Sequence, residues 1–190
     1  MKKVAVLLSG ISNSDNGEYQ ETLDLFMALN NFQCRCDLFS LNPNKTKALQ
    51  ECAASEFDAL AISAGSDVGT VLSTWNKDKA NYMVLPEVAN LIQDFHRQSK
   101  PIAALGLASV LVAKALKTDD LSLTTGSRKN EAGEILAKMN VSVEDCPPND
   151  YITDRYNKIL TTPCSLHLGA KPDEILKGIS GLVREFVEMA

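Results

Sequence analysis

Residues 100–117, KPIAALGLASVLVAKALK, decide the fold. A short apolar run at 102–105 follows Pro101 and reads as a buried strand. The chain then turns at Gly106, and Leu107, Val110, Leu111, Lys114 and Ala115 continue at helical spacing. A strand that reverses into a helix with almost no loop leaves one residue at a sharp apex. The helix start must pack close to the strand end, so small neighbours are required there. Ala104 and Ala108, two residues to either side of Gly106, meet that demand. This is the layout of a nucleophile elbow, whose apex side chain faces a cleft and is usually Ser or Cys. Here the apex is glycine.

Composition sets the outer bounds. With 190 residues, 45% hydrophobic and 23% charged, the chain is expected to form one globular domain spanning residues 1–190. A net charge of -5 and a pI near 5.1 exclude a basic stripe able to neutralise phosphates, so no nucleic-acid partner is expected. The longest apolar run, around 102–116, is broken by Gly106 and Lys114 and falls short of a membrane span. Met1-Lys2-Lys3 followed by residues 4–8 imitates a signal peptide, but the apolar part is too short, and a first strand is the better reading. Five scattered cysteines read as free thiols in a reducing cytoplasm. No second Cys or His pair stands at ligand spacing, so neither a metal nor a cofactor is expected.

The chain alternates from there. Residues 4–8 form a strand and 9–17 a polar loop. An amphipathic helix follows over 18–30, with Leu23, Phe26, Met27 and Leu29 as its apolar positions. Cys34, Cys36 and Leu38 alternate in a second strand, which Asn42-Pro43-Asn44 breaks before a short helix at 45–54. A third strand occupies 59–63 and closes at Ala64-Gly65. Residues 66–83 are polar and irregular, with Trp75 and Tyr82 in a segment that has no evident core face of its own. Helical spacing returns at 85–98. After the elbow the patterns predict a strand at 121–124, a helix at 131–139 and a short strand at 141–143. A hairpin of 151–154 and 159–162 turns through Arg155-Tyr156-Asn157-Lys158, with Asn in the turn. A helix over 172–189 closes the chain, with Pro172, Asp173 and Glu174 in its first turn.

Strands alternating with helices imply a mostly parallel sheet covered on both faces, a three-layer flavodoxin-like α/β sandwich. Ligands in such sheets sit outside the carboxyl ends of the strands, where strand order reverses. Three loops at strand carboxyl ends are candidates for that crevice: residues 9–18, 64–69 and the elbow at Gly106.

At this point the residues resemble a known family. The pieces are Lys2-Lys3-Val4 with Leu8-Ser9-Gly10, the loop from Asp15 to Glu18, Asp58-Ala59-Leu60, Lys100-Pro101-Ile102, and Leu123-Thr124 with Gly126. Most specific is the tail: Cys146-Pro147 through Asp150, Asp154 and Asn157-Lys158-Ile159 to Thr161-Thr162-Pro163. In order and spacing they resemble the DJ-1/PfpI superfamily, with its class I glutamine amidotransferase-like fold, and within it the ElbB-like subgroup (enhancing lycopene biosynthesis protein, or sigma cross-reacting protein).

The resemblance implies a site. In the superfamily the elbow residue is a cysteine whose thiolate is the reagent; here Gly106 stands in its place. By position Glu18 matches the carboxylate that serves that thiol, and the backbone N–H groups of Gly65 and Leu107 match the oxyanion pocket. Superfamily activities include glyoxalase chemistry on small dicarbonyls, and relatives commonly pair, so a homodimer is expected, with Trp75 and Tyr82 in their coreless segment as its candidate contact. Two readings follow. The chain is a non-catalytic or residually active member that binds a small molecule or partner in the old cleft. Alternatively, Cys164 replaces the missing thiol in a glyoxalase-like enzyme, with Glu18 as acid or base and His167 nearby. Cys164 also reads as an ordinary buried thiol, and Glu18 as a first-turn acid at a helix N-terminus. A weaker reading, phosphate binding by the hydroxyl-rich loop at 9–14, is opposed by the repulsion of Asp15 and Glu18. Two departures from the family pattern are Ala64-Gly65 in place of paired glycines and a shortened region between Asn42 and Phe57.

Overall fold

The computed structural model describes residues 1–9, 18–43, 46–118 and 120–190, without the side chains of Glu18 and Ser66. Strand β1 (Lys3–Leu7) is followed by helix α1 (Glu18–Asn31) and strand β2 (Arg35–Ser40). A two-residue strand β3 (Lys47–Ala48), strand β4 (Ala59–Ile62), helix α2 (Trp75–Asp78) and helix α3 (Pro86–Arg97) follow. The elbow joins β5 (Ile102–Leu105) to α4 (Ala108–Leu116). Beyond it lie β6 (Ser122–Leu123), α5 (Glu131–Ala137), β7 (Ser142–Val143), the hairpin β8 (Ile152–Asp154) and β9 (Ile159–Thr162), and α6 (Pro172–Met189).

Among the described residues, seven strands form the central sheet in the order β3-β2-β1-β4-β5-β9-β8. Every neighbouring pair is parallel except β8–β9. Strand residues alternate between two cores. Ala5, Leu7, Leu60, Ile62, Ile102 and Ala104 face the side covered by α3 and α4. Val4, Val6, Ala59, Ala61, Ala103 and Leu105 face the side covered by α1 and α6. That alternation between two apolar faces is why the strands read as continuous hydrophobic runs rather than as alternating patterns. Strand order reverses between β1 and β4, so Ser9 and Ala64–Gly65 stand at the switch point, with Gly106 beside them at the end of β5.

Two local expectations need correction. The region expected as a helix over 45–54, whose first residue is undescribed, holds β3 and a 3₁₀ turn at Leu49–Glu51. Phe39 and Ser40 pair with Lys47 and Ala48, and the Ser40 and Thr46 hydroxyls meet at 2.7 Å, so the chain is held as a sheet edge. The segment 66–83 does have a core face. Trp75 and Tyr82 are buried there, edge to face with centroids 4.8 Å apart. The Tyr82 hydroxyl donates to Val110 O at 2.7 Å, and Lys114 Nζ sits 4.9 Å above the Tyr82 ring. Neither aromatic is left over for a dimer contact, so that argument for pairing fails. The strands expected at 121–124 and 141–143 form as β6 and β7, a parallel pair separate from the main sheet.

Candidate functional site at the elbow

The crevice is assembled from the carboxyl ends of β1, β4, β5 and β9. At its floor Gly106 adopts φ +55, the left-handed region that glycine tolerates best. Its N–H donates to Thr162 O at 2.9 Å, which continues the β5–β9 ladder by one residue. Its carbonyl accepts from Ser109 Oγ at 2.9 Å, so the fully buried Ser109 fastens the first turn of α4 back onto the apex. A Cβ at position 106 would lie 3.5 Å from Ala64 Cβ, 3.6 Å from Cys164 Cβ and 3.7 Å from Pro163 O. These are ordinary contacts. The apex therefore lies in a slot with Ala64 on one side and Pro163–Cys164 on the other, and the slot has room for a Cβ.

The β4 wall is fixed by Ser9. Its N–H donates to Ser63 Oγ at 3.2 Å and its hydroxyl to Ala64 O at 3.1 Å. Gly65 follows at φ +145 and ψ 152, a conformation confined to glycine. The N–H groups of Gly65 and Leu107 make no bond to another protein group among the described residues, and both residues are partly exposed. They retain the donors an oxyanion pocket needs.

The β9 wall carries Cys164, at φ +51 and fully buried. Burial raises its thiol well above the ordinary cysteine range, and the Glu21 carboxylate raises it further; the Gly106 N–H opposes them and Asp24 adds to the rise. This thiol is beside the apex but is held neutral and covered. Ser165, the next residue, donates its N–H to Glu21 Oε1 at 2.8 Å, tying the wall to α1. Glu21 and Asp24 are only 2% and 4% exposed, and with Gln20, Ser165, Pro172 and Ile175 they line a pocket of about 210 Å³ between α1 and α6.

The predicted site residues are thus distributed as follows. Gly65, Gly106, Leu107 and Cys164 come together. Glu18 opens α1, and its side chain is outside the described residues. The hydroxyl-rich stretch beyond Ser9, with Asp15, also lies outside them. Gly126 packs against His167, whereas His96, next to last in α3, precedes β5 and so lies toward the amino ends of the strands. Glu21 is the residue that sequence reasoning missed. Its signal was there: Glu21 shares a helical face with Leu25, Ala28 and Leu29, which puts a carboxylate on the buried stripe of α1. Among the described residues, no three of His, Cys, Asp and Glu are grouped as metal ligands.

The family described as the C-terminal domain found in long catalases matches residues 3–141. The glutamine amidotransferase-like class 1 domain-containing protein 3, mitochondrial, of Homo sapiens is 28% identical over 158 residues, which cover 76% of this chain and 56% of the relative. The chain thus spans little more than half the length of the curated relatives it matches. The isoprenoid biosynthesis protein with amidotransferase-like domain from Ehrlichia chaffeensis superposes with a TM-score of 0.86 at 21% identity, over 100% of this chain and 99% of that one. DJ-1beta of Drosophila melanogaster gives 0.67 at 17% identity, over 98% of this chain and 91% of that one.

Proposed function

Because the chain belongs to the family of C-terminal domains found in long catalases and has the DJ-1/PfpI, class I glutamine amidotransferase-like fold, we propose that it is a non-catalytic or residually active member that binds a small molecule or partner in the elbow crevice. The observation that carries this reading is the apex. Gly106 keeps the left-handed elbow backbone, and the N–H groups of Gly65 and Leu107 stay available beside it, but the position bears no attacking atom. Cys164 is a poor substitute, since a covered, neutral thiol is neither accessible nor nucleophilic. The preserved donors suit an anionic or carbonyl-bearing ligand.

Within the superfamily we place the chain in the ElbB-like subgroup. The tail motif supports this, as does the likeness to the Ehrlichia chaffeensis protein, to which the words isoprenoid biosynthesis belong. We also propose a homodimer, now on different residues: Tyr19 and Met27, 61% and 56% exposed, lie about two turns apart on α1. A monomer by light scattering at micromolar concentration removes that part.

The test of function is a pair of proteins. The unmodified chain is expected to show no turnover of glyoxal or methylglyoxal. Gly106→Cys places a thiol among the retained donors, and that thiol is expected to alkylate and oxidise readily and to confer weak dicarbonyl turnover, which Glu18→Gln lowers. Robust turnover by the unmodified chain that survives Cys164→Ser overturns the reading.

A further inference from the structure

The slot around Gly106 has two walls, and they are held differently. The Ala64 wall is fastened within the sheet, by Ser9 at the end of the neighbouring strand. The Pro163–Cys164 wall leaves the sheet after β9 and enters a 3₁₀ turn at Cys164–Leu166. Its bend depends on a left-handed cysteine, a conformation that persists in a residue with a Cβ only where the surroundings over-determine it. Two supports meet that wall. Gly126 packs behind Pro163 and His167. From the other side Glu21, 144 positions earlier in the chain, receives the Ser165 N–H, the first amide after the left-handed residue.

We propose that Glu21 is the positioning residue that sets the width of the crevice, and so the size of ligand it admits, by holding the Pro163–Cys164 wall in place through Ser165. This rests on the elbow crevice being the binding site. Glu21 is 2% exposed, so its bond to the amide of the exposed Ser165 is shielded from solvent on the carboxylate side, and α1 is anchored independently through Leu25, Ala28 and Leu29. Glu21 therefore fixes the wall relative to the α1 core and does not drift with it. What matters is reach, not charge. Glutamine at 21 retains an oxygen at the same distance from the backbone, whereas aspartate retains the charge and withdraws the oxygen by one methylene.

The test uses the full chain in the Gly106→Cys background, whose thiol is the probe. Alkylation at that thiol is followed by mass spectrometry with iodoacetamide and with a bulky N-aryl maleimide, and the buried Cys146 of the same molecules is the internal control. Glu21→Gln is expected to keep the preference for the small reagent. Glu21→Asp and Glu21→Ala are expected to lower it by about tenfold and to raise exchange of the Ser165 amide by a similar factor, the scale of one lost hydrogen bond. Cys146 labelling is unchanged in all three, which separates a moved wall from general loosening. Should Glu21→Ala not fold, Glu21→Asp and Glu21→Gln still decide the matter: equal size preference and equal Ser165 exchange in those two overturn the proposal. A thiol at 106 as unreactive as a buried one, with Ser165 exchange still dependent on Glu21, overturns the crevice as the binding site and leaves the Glu21 support intact.

Discussion

A Cβ built on Gly65 would lie 2.5 Å from Ser9 Oγ, so the two residues at the topological switch point fit only because one of them has no side chain. The hydroxyl cannot retreat cheaply, since it holds Ala64 O at 3.1 Å. Gly65 also has φ +145, where a Cβ is strained whatever the space. Gly65→Ala is therefore expected to cost about 3 kcal/mol or more, combining backbone strain with a displaced hydroxyl. Ser9→Ala alone should cost about 1 kcal/mol for the lost bond. The double variant should recover only part of the Gly65→Ala loss in urea unfolding, because the backbone strain remains; full recovery would contradict this account.

Gly106→Ala is the contrasting case. The Cβ meets only contacts of 3.5 Å and longer, so the cost is conformational alone, about 1–2 kcal/mol for a left-handed alanine. The two glycines make a paired prediction: equilibrium unfolding should rank Gly65→Ala clearly below Gly106→Ala. The reverse order would mean that the elbow, not the switch point, is the tighter site.

The contrast between these glycines also marks what the sequence could reveal. The elbow was legible because a strand, one glycine and a helix flanked by Ala104 and Ala108 leave little choice of geometry, and the parallel sheet followed from the alternating runs. Trp75 and Tyr82 were not legible as core. Their segment has neither period, and its burial depends on docking against α4 through the Val110 carbonyl and the Lys114 side chain. Asn in the hairpin turn was a fair signal for the turn but not for its conformation. Lys158 takes the left-handed position at φ +56, while Asn157 turns inward to Asp154. Glu21 was hidden for a further reason. Its partner is a backbone amide 144 residues away, and backbone donors leave no mark on composition or spacing.

Asp154 joins the hairpin to the small sheet. Its Oδ1 accepts from Asn157 N at 2.9 Å, and its Oδ2 from Asn157 Nδ2 at 2.8 Å and Ser122 N at 3.0 Å. The residue is 6% exposed, so removing the carboxylate leaves three donors facing a dry space. Asp154→Ala is expected to cost about 3 kcal/mol. Asp154→Asn should cost less but not nothing, because one acceptor becomes a donor pointed at donors. Hydrogen exchange at Ser122 should rise in both variants before that of β4 and β5; unchanged protection of Ser122 would show that β6 is held by other contacts.

Alkaline pH should unfold the protein through its buried thiols. Burial pushes Cys146 from 9.0 up to about 12, with Asp150 adding to the rise, and Cys164 is raised well above the usual range. Both residues are at most 3% exposed. A raised folded-state pKa means that the native chain holds a proton the unfolded chain gives up. Between the two values the unfolded state binds fewer protons, so stability must fall as pH rises. Below about pH 9 the contribution is complete and flat. Above it each such thiol removes at most about 1.4 kcal/mol per pH unit. Burial of Tyr82 acts in the same direction at still higher pH. Urea midpoints measured from about pH 8 to about pH 11 should therefore be level at first and then drop with increasing slope. Cys146→Ala should lessen that slope, whatever it does to stability at neutral pH. Cys34→Ala should lessen it less, since Cys34 is only partly buried. Stability that stays level to about pH 11 would mean that the thiols at 146 and 164 ionise as readily in the folded chain as in the unfolded one, and would overturn this account.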